Sequence, residues 1–495
     1  MTQFKDASLQ EINEAVIRSQ NAFIQYRKKN LAEKAQFLKS IAIELESIQD
    51  ELVATANTET NLGETRLAGE LKRTMFQLNS YADACEEGNW LDIRIDTADP
   101  LRTPPKPDLR KILVPLGPVI VFGASNFPFA YSTAGGDTAC ALAAGCSVIV
   151  KAHPAHAGTS QMVADAVQKA ALKNGLSPDV FIHLHGSSFE VGKALVEHPL
   201  TKAVGFTGSF EGGKALYDLA AKRPQPIPVF AEMGSVNPVF LLPGKLQQET
   251  ASIAAMYATS ITLSAGQFCT NPGILVGIKN KVLSDFKKQL GAAIQLVAPV
   301  KMLHNGIAKS FRQKREKVLA EAEVQTLAVS NTSGDEDESI PTLAEVDGKA
   351  FLQNPLLHKE VFGPFSLLVC CDDMDEMMQV ANAIEGQLTV SVLATDDEVR
   401  SNELLMQVLQ DKCGRFIMNG VPTGVEVALS MQHGGPFPAT TDSRFTAVGA
   451  DGIKRFARPV CYQNWTDALL PDELKMENPL GLWRTINNKL TRDRG

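Results

Sequence analysis

Apolar residues recur at helical spacing from residue 7 to about residue 80. Ile12, Val16, Phe23 and Tyr26, then Leu38, Ile41, Ile43 and Leu45, stand among Lys, Glu and Gln. That period predicts an all-helical opening. Residues 96–110 (DTADPLRTPPKPDLR) are polar and proline-rich and predict an extended connector. From residue 118 the period changes. PVIVFG (118–123), CSVIVKA (146–152), VFIHLHG (180–186), AVGFTGS (203–209) and PVFAEMG (228–234) are β-rich runs with helical stretches between them, among them 137–144 and 159–173. Strand and helix in alternation predict a parallel sheet covered on both faces. Right-handed crossovers then put the strand ends, and any ligand, along one rim. A second α/β stretch begins near Val236, with strands expected in PVFLLP (238–243), GILVGI (273–278), FSLLVCC (365–371), TVSVLAT (389–395) and RFIMNG (415–420). Residues 330–348 are acidic and polar and predict a surface loop. The chain has no internal repeat.

Composition narrows the function. The chain has 495 residues, 44% of them hydrophobic and 21% charged, with a net charge of -8. The length argues two or three domains. The acidic balance argues against a nucleic-acid partner, which needs a basic face. Lys5, Asp6, Glu11 and Glu14 interrupt the N-terminus, so no signal peptide is expected. No apolar run reaches the roughly 20 residues of a membrane helix, so no membrane span is expected. The eight cysteines form no C-x-x-C pair. A reducing, cytoplasmic location is therefore expected. His183 and His185 share one strand face, but without further ligands beside them no metal site is expected.

Four segments carry candidate chemistry. GSFEGGKA (208–215) fits G-x-x-x-x-G-K, yet Ala215 stands where a P-loop needs Ser or Thr for Mg²⁺. A helix opened by Gly208 and Ser209 can still bind a pyrophosphate; the alternative is an ordinary glycine-rich turn. G-x-G-x-x-G is absent. In GQFCTNPG (266–273), Cys269 is either a nucleophile at a turn or an inert buried thiol. In FAEMGSVNP (230–238), Glu232 is a surface cap or a buried base. In FGASNFPF (122–129), Asn126 is an oxyanion donor or a turn cap.

Taken in order, six motifs resemble the aldehyde dehydrogenase superfamily over nearly the whole chain: Asn126-Phe127-Pro128, Lys151-Ala152-His153-Pro154, Phe206-Thr207-Gly208-Ser209, Glu232-Met233-Gly234, Gly266-Gln267-Phe268-Cys269 and Glu360-Val361-Phe362-Gly363-Pro364. FGASNFPFAYSTAGGDTACALAAGCSVIVKAHPAHAGTS, MQHGGPFPATTDSRFTAVG (431–449) and RFARPVCYQNW (455–465) are similar to the branch of 2,5-dioxopentanoate (α-ketoglutaric semialdehyde) dehydrogenases and a bacterial fatty aldehyde dehydrogenase. Two departures stand out. Gly123-Ala124-Ser125 replaces the usual Pro-Trp pair, and Pro154 stands where NAD-preferring members carry Glu.

The resemblance implies an α/β fold of two Rossmann-like parallel-sheet domains with a small β oligomerisation element. A cofactor-binding domain would use residues 1–95 and 118–235, and a catalytic domain 236–450. The oligomerisation element and C-terminal segment would use 96–117 and 451–495. A β element with an open sheet edge implies a homodimer or a dimer of dimers. The implied reaction is NAD(P)-dependent oxidation of an aldehyde to its acid. Cys269 would be the nucleophile, Asn126 the oxyanion donor and Glu232 the water-activating base. Lys151, His153, Gly208, Ser209, Gly213, Gly234, Glu360 and Phe362 would hold the cofactor. Pro154 removes an acid that would bond the ribose 2′-OH, so NADP is expected over NAD. Phe127, Phe268 and Phe437 would line the aldehyde site. The implied substrate is 2,5-dioxopentanoate, with a fatty aldehyde as the alternative. Arg102, Arg415 and Arg444 are the cations considered for a substrate carboxylate. A CoA-acylating relative is disfavoured by Glu232, and a non-catalytic one by Cys269, Glu232 and Asn126 together.

Overall fold

A computed structural model describes residues 4–494. Four helices open the chain: α1 (Leu9–Tyr26), α2 (Leu31–Glu46), α3 (Gln49–Thr60) and α4 (Glu64–Glu87). Ser8 with Glu11, and Asn30 with Glu33, form capping boxes that start α1 and α2. The expected helical opening is thus present. Strands β1 (Arg94–Asp96) and β2 (Leu109–Pro115) flank the proline-rich segment.

The first α/β run forms β3 (Val119–Phe122), α5 (Gly136–Ala144), β4 (Val148–Lys151), α6 (Ala157–Lys173), β5 (Phe181–Leu184), α7 (Phe189–Glu197), β6 (Ala203–Thr207), α8 (Phe210–Ala221) and β7 (Val229–Glu232). The strands pair in parallel in the order β5-β4-β3-β6-β7. Every residue of β3 is buried, as expected where helices cover both faces. The chain reverses direction across the sheet between β3 and β6, the switch point where open α/β sheets bind ligands.

The second run begins with β8 (Val239–Leu241), α9 (Pro243–Thr262), β9 (Ile274–Ile278), α10 (Lys281–Gln295), β10 (Val300–Lys301) and α11 (Asn305–Leu319). It continues with β11 (Gln325–Val329), β12 (Glu338–Ser339), β13 (Thr342–Asp347), β14 (Phe365–Cys371), β15 (Gln387–Leu393) and β16 (Cys413–Met418). The main sheet has the order β11-β13-β14-β9-β8-β15-β16, with only β11 antiparallel. The surface loop expected at 330–348 is therefore corrected. Its second half is β13, an inner strand. Thr342, Leu343, Ala344 and Val346 are buried, and Glu345 pairs with Lys287, so its charge does not mark a solvated loop.

β17 (Ala457–Gln463), β18 (Arg484–Ile486) and β19 (Lys489–Thr491) complete a third sheet, ordered β17-β2-β1-β18-β19. β17 pairs along the whole of β2 and is an edge strand. Among the described residues no helix is long and apolar enough to cross a membrane, and all eight cysteines are free.

Candidate active site

The carboxyl ends of the first sheet deliver three of the expected site residues. Asn126 follows β3, Lys151 ends β4 and Glu232 ends β7. Cys269 comes from the other side, on the turn between α9 and β9. That turn is strained: Ser264 and Ala265 take positive φ of 49° and 57°, and Gly266 follows at 62°. A Cβ on Gly266 would come within 2.3 Å of the Gly363 carbonyl carbon, so only glycine lets the two loops touch. Asn237, itself at positive φ, donates its amide to the carbonyl oxygens of Cys269 and Asn271, each at 2.9 Å.

The structure brings Asn126, Cys269 and Glu232 together. The Asn126 amide donates to the Gln267 carbonyl at 3.1 Å, which leaves its second N–H free beside the nucleophile turn. Among the described residues the Cys269 backbone N–H makes no hydrogen bond. His433, which sequence reasoning missed, completes the group. Its Nε2 lies 3.7 Å from Cys269 Sγ and 3.1 Å from Glu232 Oε2. The donor atoms of Glu232, Cys269 and His433 all lie within 4.8 Å of one another. The motif MQHGGPFP contained the residue, but nothing local marks a His 164 residues from its partner.

The electrostatics couple the three. Burial, then the Glu232 carboxylate, push the Cys269 thiol well above its ordinary range. Burial also pushes Glu232 up, but the His433 ring, with help from the Cys269 thiol and Arg455, brings the net direction down. The resting pair is therefore a thiol beside a carboxylate, with one proton to move. Phe127 and Phe268 meet edge to face at 5.4 Å around this centre. Phe437 does not join them. It is 55% exposed and packs on Phe210 at the head of α8.

The expected cofactor residues form a cradle along the rim. Ser209 caps α8, accepting from the Gly212 N–H at 3.2 Å. Lys214 pairs with Asp218 on its own helix, so the P-loop reading has no free lysine. Gly208 and Gly213 abut the Phe206 ring and Met233, where a side chain would collide. A Cβ on Gly234 would lie 2.8 Å from Glu360 Oε2, so glycine admits that carboxyl to the cleft. Burial pushes the Glu360 carboxyl up to about 7. Glu360, Phe362 and Gly363 line one cleft with Ser235 and Gly266. Lys151 is half-buried and makes no ion pair among the described residues, and burial lowers its pKa. His153 stands two residues on, where its Nδ1 accepts from the Ala155 N–H. The N-terminus of α8, a glycine-opened cleft and an unpaired lysine fit a dinucleotide.

His183 and His185 touch edge to face at 4.7 Å, but bond Ser160 and Gln161. Among the described residues no third ligand group joins them. Arg102 is exposed and donates to the Pro104 carbonyl, and Arg444 pairs with Asp442 at the surface. Of these three cations, only Arg415 bears on the Cys269 thiol, whose pKa it lowers against burial and the acidic neighbours.

Known proteins match this architecture. The model of the aldehyde dehydrogenase family matches residues 1–436. The chain is 46% identical over 487 residues to α-ketoglutaric semialdehyde dehydrogenase 2 of Azospirillum brasilense, covering 98% of this chain and 93% of that protein. It is 44% identical over 492 residues to the α-ketoglutaric semialdehyde dehydrogenase of Acinetobacter baylyi, covering 99% and 93%. Among solved structures, glyceraldehyde-3-phosphate dehydrogenase of Methanocaldococcus jannaschii, complexed with NADP, superposes with a TM-score of 0.79 at 18% identity, covering 94% of this chain and 96% of that one.

Proposed function

The chain belongs to the aldehyde dehydrogenase family of NAD(P)-dependent enzymes, and on that premise we propose that it oxidises 2,5-dioxopentanoate to 2-oxoglutarate, with NADP as the preferred cofactor. The observation that carries the chemistry is the meeting of Cys269, Glu232, His433 and Asn126. The substrate reading draws on the two relatives named for α-ketoglutaric semialdehyde.

Cys269 attacks the aldehyde carbon, and its proton passes to the Glu232–His433 pair, whose Nε2 faces the sulfur. The alkoxide that forms is received by the Asn126 amide and the Cys269 backbone N–H. Losing one such donor costs about 3–4 kcal/mol in the barrier. A bound nicotinamide supplies hydride acceptance, and the cysteine is left as a thioester. Once that first proton has passed on to solvent, Glu232, whose ionised form the His433 ring favours, takes a proton from the water that hydrolyses the thioester and frees Cys269. Glu360 and Phe362 would hold the nicotinamide end. Ser209 at the head of α8 would meet the pyrophosphate, with Gly208 and Gly213 giving it room. Lys151, with His153 near it, would meet a ribose 2′-phosphate, and no carboxylate at Pro154 competes.

The same reading assigns residues 1–95 and 118–235 to the cofactor domain and 236–450 to the catalytic domain. The third sheet becomes the oligomerisation element, its β17 edge open to a second copy.

Absorbance of reduced cofactor, followed with a panel of aldehydes in the presence and absence of CoA, tests the function. CoA-independent turnover fastest with 2,5-dioxopentanoate is expected. A strict CoA requirement, or preference for long alkanals, would overturn it.

A further inference from the structure

Three arginines stand around the nucleophile turn and its neighbours, and the chemistry above uses none of them. Arg66 and Arg73 lie two turns apart on one face of α4. The Arg66 guanidinium sits 5.0 Å from the Phe127 ring centre and 5.3 Å from that of Phe268, bridging the residues that follow Asn126 and precede Cys269. Its Nη2 donates to the Asn126 carbonyl at 2.7 Å. Arg73 lies 5.5 Å above Tyr131, whose ring stands beside His433. Arg415, on β16, gives two N–H groups to the carbonyls of Pro422 and Gly424.

Each guanidinium keeps a donor shielded from solvent and without an acceptor among the described residues: Nη1 of Arg66, Nη1 of Arg73 and Nε of Arg415. A shielded N–H without an acceptor is costly, so three around one site point to an absent anion. Glu70, between the two arginines on α4, does not supply it. Its Oε1 is taken by the N–H groups of Phe129 and Ala130, and its Oε2, equally shielded, bonds neither arginine. Burial also pushes Glu70 toward its neutral form.

We propose that Arg66, Arg73 and Arg415 form a carboxylate-binding end of the aldehyde site and select short aldehydes that end in a carboxylate. The proposal rests on, and deepens, the reading of a dioxo acid as substrate. Four carbon–carbon bonds separate the aldehyde carbon of that acid from its carboxylate. With the aldehyde at Cys269, Phe127 and Phe268 flank the middle of the chain and the guanidinium groups meet its end with charge-assisted bonds. An alkyl tail there would leave the same donors unpaired, which disfavours a fatty aldehyde.

The test measures kcat/KM for 2,5-dioxopentanoate, succinic semialdehyde and pentanal in wild type and in Arg66→Met, Arg66→Lys, Arg73→Met and Arg415→Met. The acid-to-pentanal ratio is expected to fall about 10- to 100-fold in the methionine variants and less in Arg66→Lys, chiefly through KM of the acids. In wild type, glutarate is expected to compete with the aldehyde and pentanamide not to, a readout that needs no variant to fold. An unchanged ratio in all the methionine variants overturns the arginine site and leaves the dioxo-acid reading standing. A wild type active on succinic semialdehyde but not on 2,5-dioxopentanoate overturns the substrate reading, while the ratio still scores the arginines. A wild type that prefers pentanal to both acids overturns the arginine site.

Discussion

His433 Nε2 lies 3.1 Å from Glu232 Oε2, and the two side chains are 1% and 4% exposed. The same nitrogen is 3.7 Å from Cys269 Sγ. One ring nitrogen therefore faces both the nucleophile and the base, with almost no water between. The proton released on attack has a path of one residue, and the carboxylate keeps a partner that favours its ionised form.

Two substitutions separate the two chemical steps. Cys269→Ala should abolish reduced-cofactor production, because no covalent adduct forms. Glu232→Gln should lower steady-state turnover about 10²–10⁴-fold, the usual worth of a general base, yet keep a single burst. Rapid-mixing absorbance reads both. Full steady-state turnover in either variant contradicts the roles.

The pH dependence follows from the charges around the sulfur. Burial and Glu232 push the Cys269 thiol up, so alkylation by iodoacetamide should keep rising above neutral pH. Glu232→Gln removes the carboxylate and should move that profile to lower pH. His433 pulls Glu232 down, so the ionised base persists into acid. His433→Asn raises the carboxyl's pKa, leaves less base at a given acid pH, and should move the acid limb of kcat upward. An alkylation profile unmoved by Glu232→Gln, or an acid limb moved down by His433→Asn, refutes the coupling.

How much of this was legible in the sequence depends on the range of each signal. Most strands of the two α/β sheets are legible because strands buried on both faces are unbroken apolar runs, as in Val119–Phe122 and Phe365–Cys371. β13 was missed because Glu345 and Asp347 give an inner strand the look of a loop, and Lys287, which neutralises Glu345, is 58 residues away. Cys269, Glu232 and Asn126 were legible through motifs that each sit beside a glycine or proline turn. His433, Arg66 and Arg73 were not, since a helix face and a distant loop acquire meaning only once the sheet ends converge. The residue type of Phe437 suggests a place in the aldehyde site, but its ring packs on Phe210 of α8.

The cofactor preference turns on Lys151. It ends β4 on the binding rim, half-buried and without an ion-pair partner among the described residues. A 2′-phosphate would give it one. Lys151→Ala should raise KM for both cofactors, and more for NADP. Pro154→Glu puts a carboxylate at an exposed position beside it and should move preference toward NAD. The shift should be part of the roughly 1.5–3 kcal/mol of a charge-assisted bond. The ratio of kcat/KM for NADP and NAD checks both. A wild-type preference for NAD, unaltered by Pro154→Glu, sinks this account of the adenosine end and leaves the aldehyde chemistry untouched.

The catalytic group should also be a point of inhibition by zinc. Glu232, Cys269 and His433 offer an oxygen, a sulfur and a nitrogen. Tetrahedral zinc with bonds of about 2.0–2.3 Å spaces its ligand atoms roughly 3.2–3.7 Å apart. The observed spacings are 3.1 Å from nitrogen to oxygen and 3.7 Å from sulfur to nitrogen. Two of the three spacings thus match zinc, and the third pair, sulfur and oxygen, lies within 4.8 Å. Binding requires the thiolate, and the Cys269 thiol is held well up, so each ion bound releases a proton and inhibition should strengthen as pH rises. Zinc should block turnover, and a chelator should restore it. His433→Asn should weaken the inhibition about tenfold or more by removing one of three ligands. Titrating zinc against residual activity at two pH values, in wild type and His433→Asn, decides the matter. Equal sensitivity in the two proteins would mean that zinc acts through the cysteine alone and that the three side chains do not bind it together.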